Sequence, residues 1–116
     1  EPQFFIDSEL QYDEITELIV TKDMAEEKKM IELGDAFIAF PGGTGTLEEI
    51  AEVMSMVSLK HLNALILYNL NGYYDSLKQL LDHMIKMGLS SENRQQGIYF
   101  ADDMEDIKAL LATVTK

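Results

Sequence analysis

Four short apolar runs recur along this chain, and each is followed by a longer segment with helical periodicity. The runs cover residues 18–20, 36–40, 64–68 and 98–100. Strand-sized apolar runs that alternate with helices are typical of a parallel sheet with helices on both faces. The sequence therefore predicts an α/β fold with the order β-α-β-α-β-α-β-α. Right-handed crossovers would place the strands in sequence order or nearly so.

The segments that follow the runs carry apolar residues at the spacing of a helix face. They cover residues 23–33, 46–57, 73–87 and 103–111. Gly34 and Gly88 stand directly after two of them, where a helix commonly ends in a left-handed residue. The polar residues 69–72 and 90–96 predict a turn and a loop.

The length of 116 residues fits one domain of ordinary size, and a hydrophobic content of 47% is enough for a core. Four strands are few for a doubly wound sheet, and the first run has no evident partner on its other side. We therefore expect residues 1–116 to be the carboxy-terminal portion of one Rossmann-like, three-layer domain. Its amino-terminal part is expected to be missing from this sequence.

Charge and composition limit the possible ligands. The net charge of −12 argues against binding to a nucleic-acid backbone, which requires basic patches. The absence of cysteine excludes disulfides and thiolate chemistry. His61 and His83 have no second ligand at metal spacing, so we predict neither a metal nor a cofactor. No apolar run approaches the length of a membrane span, and we expect a cytoplasmic protein without a membrane partner.

The sequence Pro-Gly-Gly-Thr-Gly-Thr-Leu-Glu-Glu at residues 41–49 is the segment most suited to chemistry. It joins a buried strand to a helix, which is where ligands bind in parallel α/β sheets. Its glycines allow a ligand close to the backbone, and the helix directs free N–H groups and its positive dipole end at the loop. Thr44 and Thr46 add hydroxyl donors. We predict that this loop holds a phosphate or a ribose.

A turn without a ligand is the alternative interpretation. In that case Thr46 and Glu49 would form a capping box at the start of the helix. The segment lacks the Gly-Lys-Ser/Thr of a Walker loop and does not match the dinucleotide pattern G-x-G-x-x-G. These two differences exclude the commonest nucleotide-binding families.

The pattern Pro-Gly-Gly-x-Gly-Thr-x-x-Glu resembles the signature of the Lonely Guy family, cytokinin-activating phosphoribohydrolases formerly called lysine decarboxylase-like proteins. The resemblance covers nearly the whole chain, including residues 2–10, 18–20, 35–39 and 69–77. It implies hydrolysis of the N-glycosidic bond of a nucleoside 5′-monophosphate, either AMP or a cytokinin riboside monophosphate. The products are a free base and ribose 5-phosphate. It also implies a homodimer. Core packing is the preferred interpretation of the methionines, and Met54, Met56 and Val57 are alternative candidates to face the partner.

The resemblance also implies roles for individual residues. Glu49 is the expected catalytic carboxylate, which would stabilise an oxocarbenium-like state and position water. Glu48 is expected to bind a ribose hydroxyl, and the glycines and threonines of the loop to hold the phosphate. The full set of expected substrate-binding residues is Glu9, Lys28, Gly42, Gly43, Thr44, Gly45, Thr46, Glu48 and Ser55.

Two features depart from the family pattern. The Gly-Gly-Gly motif that follows the family's first strand is absent, because the chain begins too late. The family also has Met-x-x-Arg-Lys, with a catalytic arginine, where residues 24–29 read Met-Ala-Glu-Glu-Lys-Lys. Alignment of Lys28 with the family's lysine leaves Glu27 in the place of the arginine, and an acid there would repel a phosphate.

These departures lead us to expect weak or no hydrolase activity from this chain alone. The alternative function is a nucleotide- or phosphate-binding module without turnover. A third interpretation is a folded α/β fragment whose partner chain supplies the missing part.

Overall fold

The computed structural model describes residues 30–114, without the side chain of Ile31. The strands in this range are β1 (Met30–Leu33), β2 (Ala36–Ala39), β3 (Ala64–Tyr68) and β4 (Ile98–Ala101). The α-helices in it are α1 (Thr44–Ser58), α2 (Asp75–Lys86) and α3 (Met104–Val114), and a 3₁₀ turn covers Leu70–Gly72. The predicted strand at residues 18–20 lies outside the described residues.

The four strands form one sheet in the order β1-β2-β3-β4. β2, β3 and β4 run parallel, with Ala36 opposite Ala64 and Leu65 opposite Ile98. The α/β fold is therefore confirmed, as is the sequential order of the three predicted strands that the structure describes, β2, β3 and β4. The sheet is mixed, because β1 runs antiparallel to β2.

The helix predicted over residues 23–33 is wrong at its carboxyl end, and its first part lies outside the described residues. Met30–Leu33 form a strand, in which Met30 pairs with Ala39 and Leu33 with Ala36. Gly34, with a φ of 65°, is the first residue of a two-residue hairpin turn and follows no helix. Pairing with β1 satisfies the backbone groups along that edge of β2, and this tertiary interaction outweighs the local helical pattern.

Two apolar layers cover the two faces of the sheet, because successive side chains of a strand point to opposite faces. Leu65 and Leu67 of β3 pack with α1 and Tyr74 on one face. Ala64 and Ile66 pack with α3 on the other. This arrangement is the expected three-layer domain. Val57 is buried in the α1 layer, so it is not on a surface that a dimer partner would contact, whereas Met56 is exposed.

The other predicted elements differ from the structure only at their ends. β3 covers the predicted residues 64–68, and α1 begins two residues before the predicted start. Within residues 30–114, no helix combines the length and hydropathy needed to cross a bilayer.

Candidate active site

The loop between β2 and α1 consists of Pro41, Gly42 and Gly43, and is called the glycine loop below. It leaves the carboxyl end of β2, and Gly43 is the N-cap of α1, with φ −99° and ψ −152°. The Leu47 N–H donates to the Gly43 carbonyl oxygen at 3.0 Å, which closes the first turn of the helix. The N–H groups of Thr44, Gly45 and Thr46 precede that bond and have no acceptor within the helix. The loop thus opens onto a set of backbone donors at the positive end of the helix dipole.

The capping box considered for Thr46 and Glu49 is not formed. The helix begins at Thr44, so Thr46 lies inside the first turn, where it is 8% exposed. The N-cap residue, Gly43, has no side chain, and among residues 30–114 no side-chain hydrogen bond from this position caps the helix. The first N–H groups of α1 are therefore not used by a side-chain cap from Gly43 and can bind a ligand.

The conformation of the chain does not require glycine at positions 43 and 45. The φ of Gly43 is one that any residue adopts, and a Cβ atom at either position would have no neighbour within 4 Å. Gly45 lies in a helix, where glycine costs about 1 kcal/mol relative to alanine. Open space next to side-chain-free backbone is what a closely approaching ligand requires.

The two candidate carboxylates lie on the exposed first turns of α1. Glu48 follows Thr44 by four residues and Glu49 follows Gly45 by four, so each shares a helix face with a residue at the start of the helix. Both side chains are exposed. The structure therefore brings Glu48 and Glu49 to the same end of α1 as the glycine loop.

Not every expected site residue lies at this end. Ser55 is eleven residues beyond Thr44 on α1, which places its backbone about 16 Å along the helix axis. It lines a separate cavity of about 400 Å³ together with Ser58 and Arg94. A single copy of the chain does not bring Ser55 to the glycine loop. Glu9 and Lys28 lie outside the described residues.

A second loop, which sequence reasoning did not connect with the site, contacts the glycine loop. It runs from Asn69 to Tyr74, after β3, and is called the tyrosine turn below. The Tyr74 hydroxyl donates to the Phe40 carbonyl oxygen at 2.6 Å, and the Tyr73 hydroxyl donates to the Gly42 carbonyl oxygen. The two rings meet edge to face, with centroids 5.0 Å apart. Tyr74 is buried, with 5% of its surface exposed, whereas Tyr73 is 52% exposed.

The tyrosine turn is held from inside by Asn69, which is buried. Its side-chain oxygen accepts from the Tyr74 N–H at 2.5 Å, and its Nδ2 donates to Asp75 Oδ1 at 2.8 Å. Burial, and secondarily the neighbouring Tyr73, raises the pKa of Tyr74 to about 12. The Tyr74 hydroxyl therefore keeps its proton and remains a donor over the whole physiological range.

A cavity of about 400 Å³ lies between the two loops. Its lining is mostly apolar, and Thr44 lines it together with Gly42 and Gly43. The residues that line it are Gly42, Gly43, Thr44, Leu47, Ile50, Tyr73, Tyr74 and Leu77. Within residues 30–114, no group of three or more His, Cys, Asp or Glu side chains is placed to hold a metal ion.

The family model described as "Possible lysine decarboxylase" matches residues 1–111. A cytokinin riboside 5′-monophosphate phosphoribohydrolase of Arabidopsis thaliana is 36% identical over 108 residues, which are 91% of this chain and 50% of that protein. The enzyme of the same name from Rhodococcoides fascians is 40% identical over 93 residues, 78% of this chain and 47% of that protein. The chain belongs to the Lonely Guy family.

Membership of the Lonely Guy family confirms the resemblance drawn from residues 41–49, and the named relatives are phosphoribohydrolases. The chain spans about half the length of the curated relatives it matches.

Proposed function

We propose that this chain carries the phosphate- and ribose-binding half of a Lonely Guy phosphoribohydrolase site and acts on a nucleoside 5′-monophosphate. The observation that carries the proposal is the start of α1 at the glycine loop, where a Cβ atom at Gly43 or Gly45 would have no neighbour within 4 Å and the first N–H groups have no acceptor within the helix. Such a helix end favours a doubly charged phosphate monoester. The names of the relatives support a cytokinin riboside monophosphate as substrate, and AMP is the simplest compound with the same reacting bond.

In the proposed reaction the bond between C1′ of the ribose and the base nitrogen breaks, and its electron pair leaves with the base, which takes up a proton from solvent. The ribose passes through an oxocarbenium-like state, and a water molecule adds to C1′. Glu49 stabilises the positive charge and accepts the proton that this water loses. Glu48 hydrogen-bonds a ribose hydroxyl, and the Thr44 and Thr46 hydroxyls assist the N–H groups at the phosphate.

A homodimer is part of this proposal. Ser55 lies too far along α1 to reach the glycine loop of its own chain. The carboxyl half of α1 exposes Met56, and Leu59 just after it is 64% exposed. These apolar side chains would be covered by a second copy, which would also bring its Ser55 near this loop.

A binding module without turnover is the second candidate. The feature that favours it is Glu27, which the resemblance places at the position of the family's catalytic arginine when Lys28 is aligned with the family's lysine. An acid at that place removes a bidentate phosphate clamp and repels the substrate, so turnover is expected to be weak.

The test is to incubate the chain with AMP and to measure released adenine by chromatography, with sedimentation velocity of the same sample to determine its size. Glu49→Gln is expected to lower the rate by about 100-fold or more, because the amide neither accepts a proton nor carries charge. Glu52→Gln is the matched control, since Glu52 is exposed on the same helix and should leave the rate unchanged.

Equal adenine release by the parent and Glu49→Gln would contradict the catalytic role of Glu49. No release from the parent, with AMP still raising the melting temperature, would identify the binding module. A monomer with full turnover would contradict the homodimer.

A further inference from the structure

We propose that Tyr73 is a positioning residue that aims the Gly43 N–H at the bound phosphate, with Tyr74 fixing the strand end from which the glycine loop departs. This inference rests on the proposed function for the identity of the ligand. The hydrogen bonds on which it depends join residues of this chain and do not involve the ligand. Neither tyrosine is expected to touch the reacting atoms.

The direction of the Gly43 N–H follows from the Tyr73 contact. None of the peptide bonds in the described part of the chain is cis. In a trans peptide the C=O and the following N–H point in opposite directions. The Tyr73 hydroxyl holds the Gly42 carbonyl oxygen, and the Gly43 N–H is therefore directed away from Tyr73, as an additional donor ahead of the three at the start of α1.

The same hydrogen bond keeps the partial negative charge of the Gly42 carbonyl oxygen away from the ligand. A carbonyl oxygen carries a partial negative charge, which would repel a phosphate if it faced the ligand. The Gly42 peptide is flanked by two residues without side chains, and glycine adopts a wide range of backbone conformations. An external contact is what selects one orientation of this peptide, and Tyr73 supplies it.

Tyr74 has a different part in the arrangement. Its hydroxyl binds the carbonyl of Phe40 at 2.6 Å. The next residue is Pro41, which has no N–H to direct. This contact fixes where the glycine loop begins and does not orient a donor. Tyr73 is accordingly the residue whose loss should affect phosphate binding without disturbing the core.

The position of Tyr73 is itself well defined. Asn69 binds the Tyr74 N–H, and the Tyr73 N–H donates to the Leu70 carbonyl oxygen at 3.0 Å. The edge-to-face contact with Tyr74 sets the orientation of the Tyr73 ring. A fixed hydroxyl costs less entropy when it holds the loop than one on a freely rotating side chain would.

The test compares Tyr73→Phe with Tyr99→Phe in the full chain. Tyr99 is a half-buried tyrosine of β4 that packs on the α3 face of the sheet, away from the glycine loop. The first measurement is heteronuclear NMR of the ligand-free protein, in which Tyr73→Phe should shift the Gly43 amide signal and Tyr99→Phe should not. The second is the affinity for AMP, ribose 5-phosphate and adenosine.

Loss of one hydrogen bond to the loop is expected to weaken AMP and ribose 5-phosphate about three- to tenfold, with adenosine unchanged. Where turnover is measurable, the change should appear in KM more than in kcat. The melting temperature of Tyr73→Phe should match that of the parent, because the side chain is half exposed.

An unmoved Gly43 amide in Tyr73→Phe would overturn the inference, as would equal weakening by Tyr99→Phe. A moved amide with unchanged affinity for AMP and ribose 5-phosphate would overturn it too. If the Gly43 amide signal shifts in Tyr73→Phe but the parent protein binds neither AMP nor ribose 5-phosphate, the proposed function is refuted. The orienting contact would still be established.

Discussion

The glycine loop and the tyrosine turn leave neighbouring parallel strands at the same edge of the sheet, and they are stabilised in opposite ways. Among the described residues, the glycine loop supplies no side-chain hydrogen bond to cap α1, because its N-cap residue is Gly43. The tyrosine turn contains a buried asparagine that bonds both Tyr74 and Asp75. The two loops meet through the tyrosine hydroxyls. The comparison shows that ligand access and rigidity are divided between two loops, and that one loop is positioned by the other.

Glycine serves a different purpose in each loop. Gly72 has a φ of 73°, a backbone conformation that residues with a side chain rarely adopt, so the shape of the chain favours glycine there. Gly43 has an ordinary φ and open space around it. The first glycine is needed for the shape of the chain, and the second leaves room for something outside it.

The largest effect on this comparison should come from Asn69→Ala, which removes the internal support of the tyrosine turn. The substitution leaves the buried Tyr74 N–H without its acceptor and Asp75 without its donor. We expect the free energy of unfolding to fall by about 2–3 kcal/mol, as measured by urea denaturation. Asn93→Ala, at an exposed loop position, is the control and should change it by less than about 0.5 kcal/mol. Equal stability of the two variants would show that the turn does not depend on Asn69.

A smaller effect is expected from exchanging glycine for alanine in each loop. Gly72→Ala should lower the free energy of unfolding by about 1–2 kcal/mol, because alanine is strained at a positive φ. Gly43→Ala should leave it unchanged while weakening AMP in a titration, since the added methyl group occupies the open space. A loss of stability in Gly43→Ala, or unchanged AMP affinity, would contradict the division of roles between the loops.

The smallest effect concerns the contact between the loops at high pH. The pKa of Tyr74 is about 12 in the folded chain and lies above its ordinary value of 10.0. The contribution of the Tyr74 hydroxyl to the free energy of unfolding is therefore fully present below pH 10 and is lost as the pH rises through 12. Two pKa units set an upper limit of about 2.7 kcal/mol, which solvent screening reduces, so we expect a loss of about 1 kcal/mol across this interval, measured as the difference between the parent and Tyr74→Phe in urea denaturation. Parallel pH profiles would show that Tyr74 does not titrate in this way.

Local pattern was sufficient to predict β2, β3 and α1, because each combines an apolar run or stripe with clear breaking residues at its ends. The place of the glycine loop followed from the same pattern. β1 could not be predicted, since Met30–Leu33 lie in a segment with helical spacing and become a strand only by pairing with β2. The start of α1 was missed by two residues because Gly45, a poor helix former, lies within its first turn.

The contact between the two loops was beyond sequence reasoning for a different reason. Tyr73 and Gly42 are 31 residues apart, and Tyr74 and Phe40 are 34 apart. Periodicity carries no information on which carbonyl group a side-chain hydroxyl reaches. Two adjacent tyrosines after a strand, next to a glycine-rich loop, are the signal that was available. The roles of Glu48 and Glu49 remain predictions.

The donors at the start of α1 have a consequence for how binding responds to solution conditions. Backbone N–H groups and threonine hydroxyls keep the same charge throughout the physiological pH range, whereas a phosphate monoester dianion takes up one proton near pH 6. The pH dependence of binding at these donors would therefore be that of the ligand. A dianion must also approach a chain of net charge −12, so added salt would screen a repulsion and favour association, opposite to its effect on a site built from lysine and arginine.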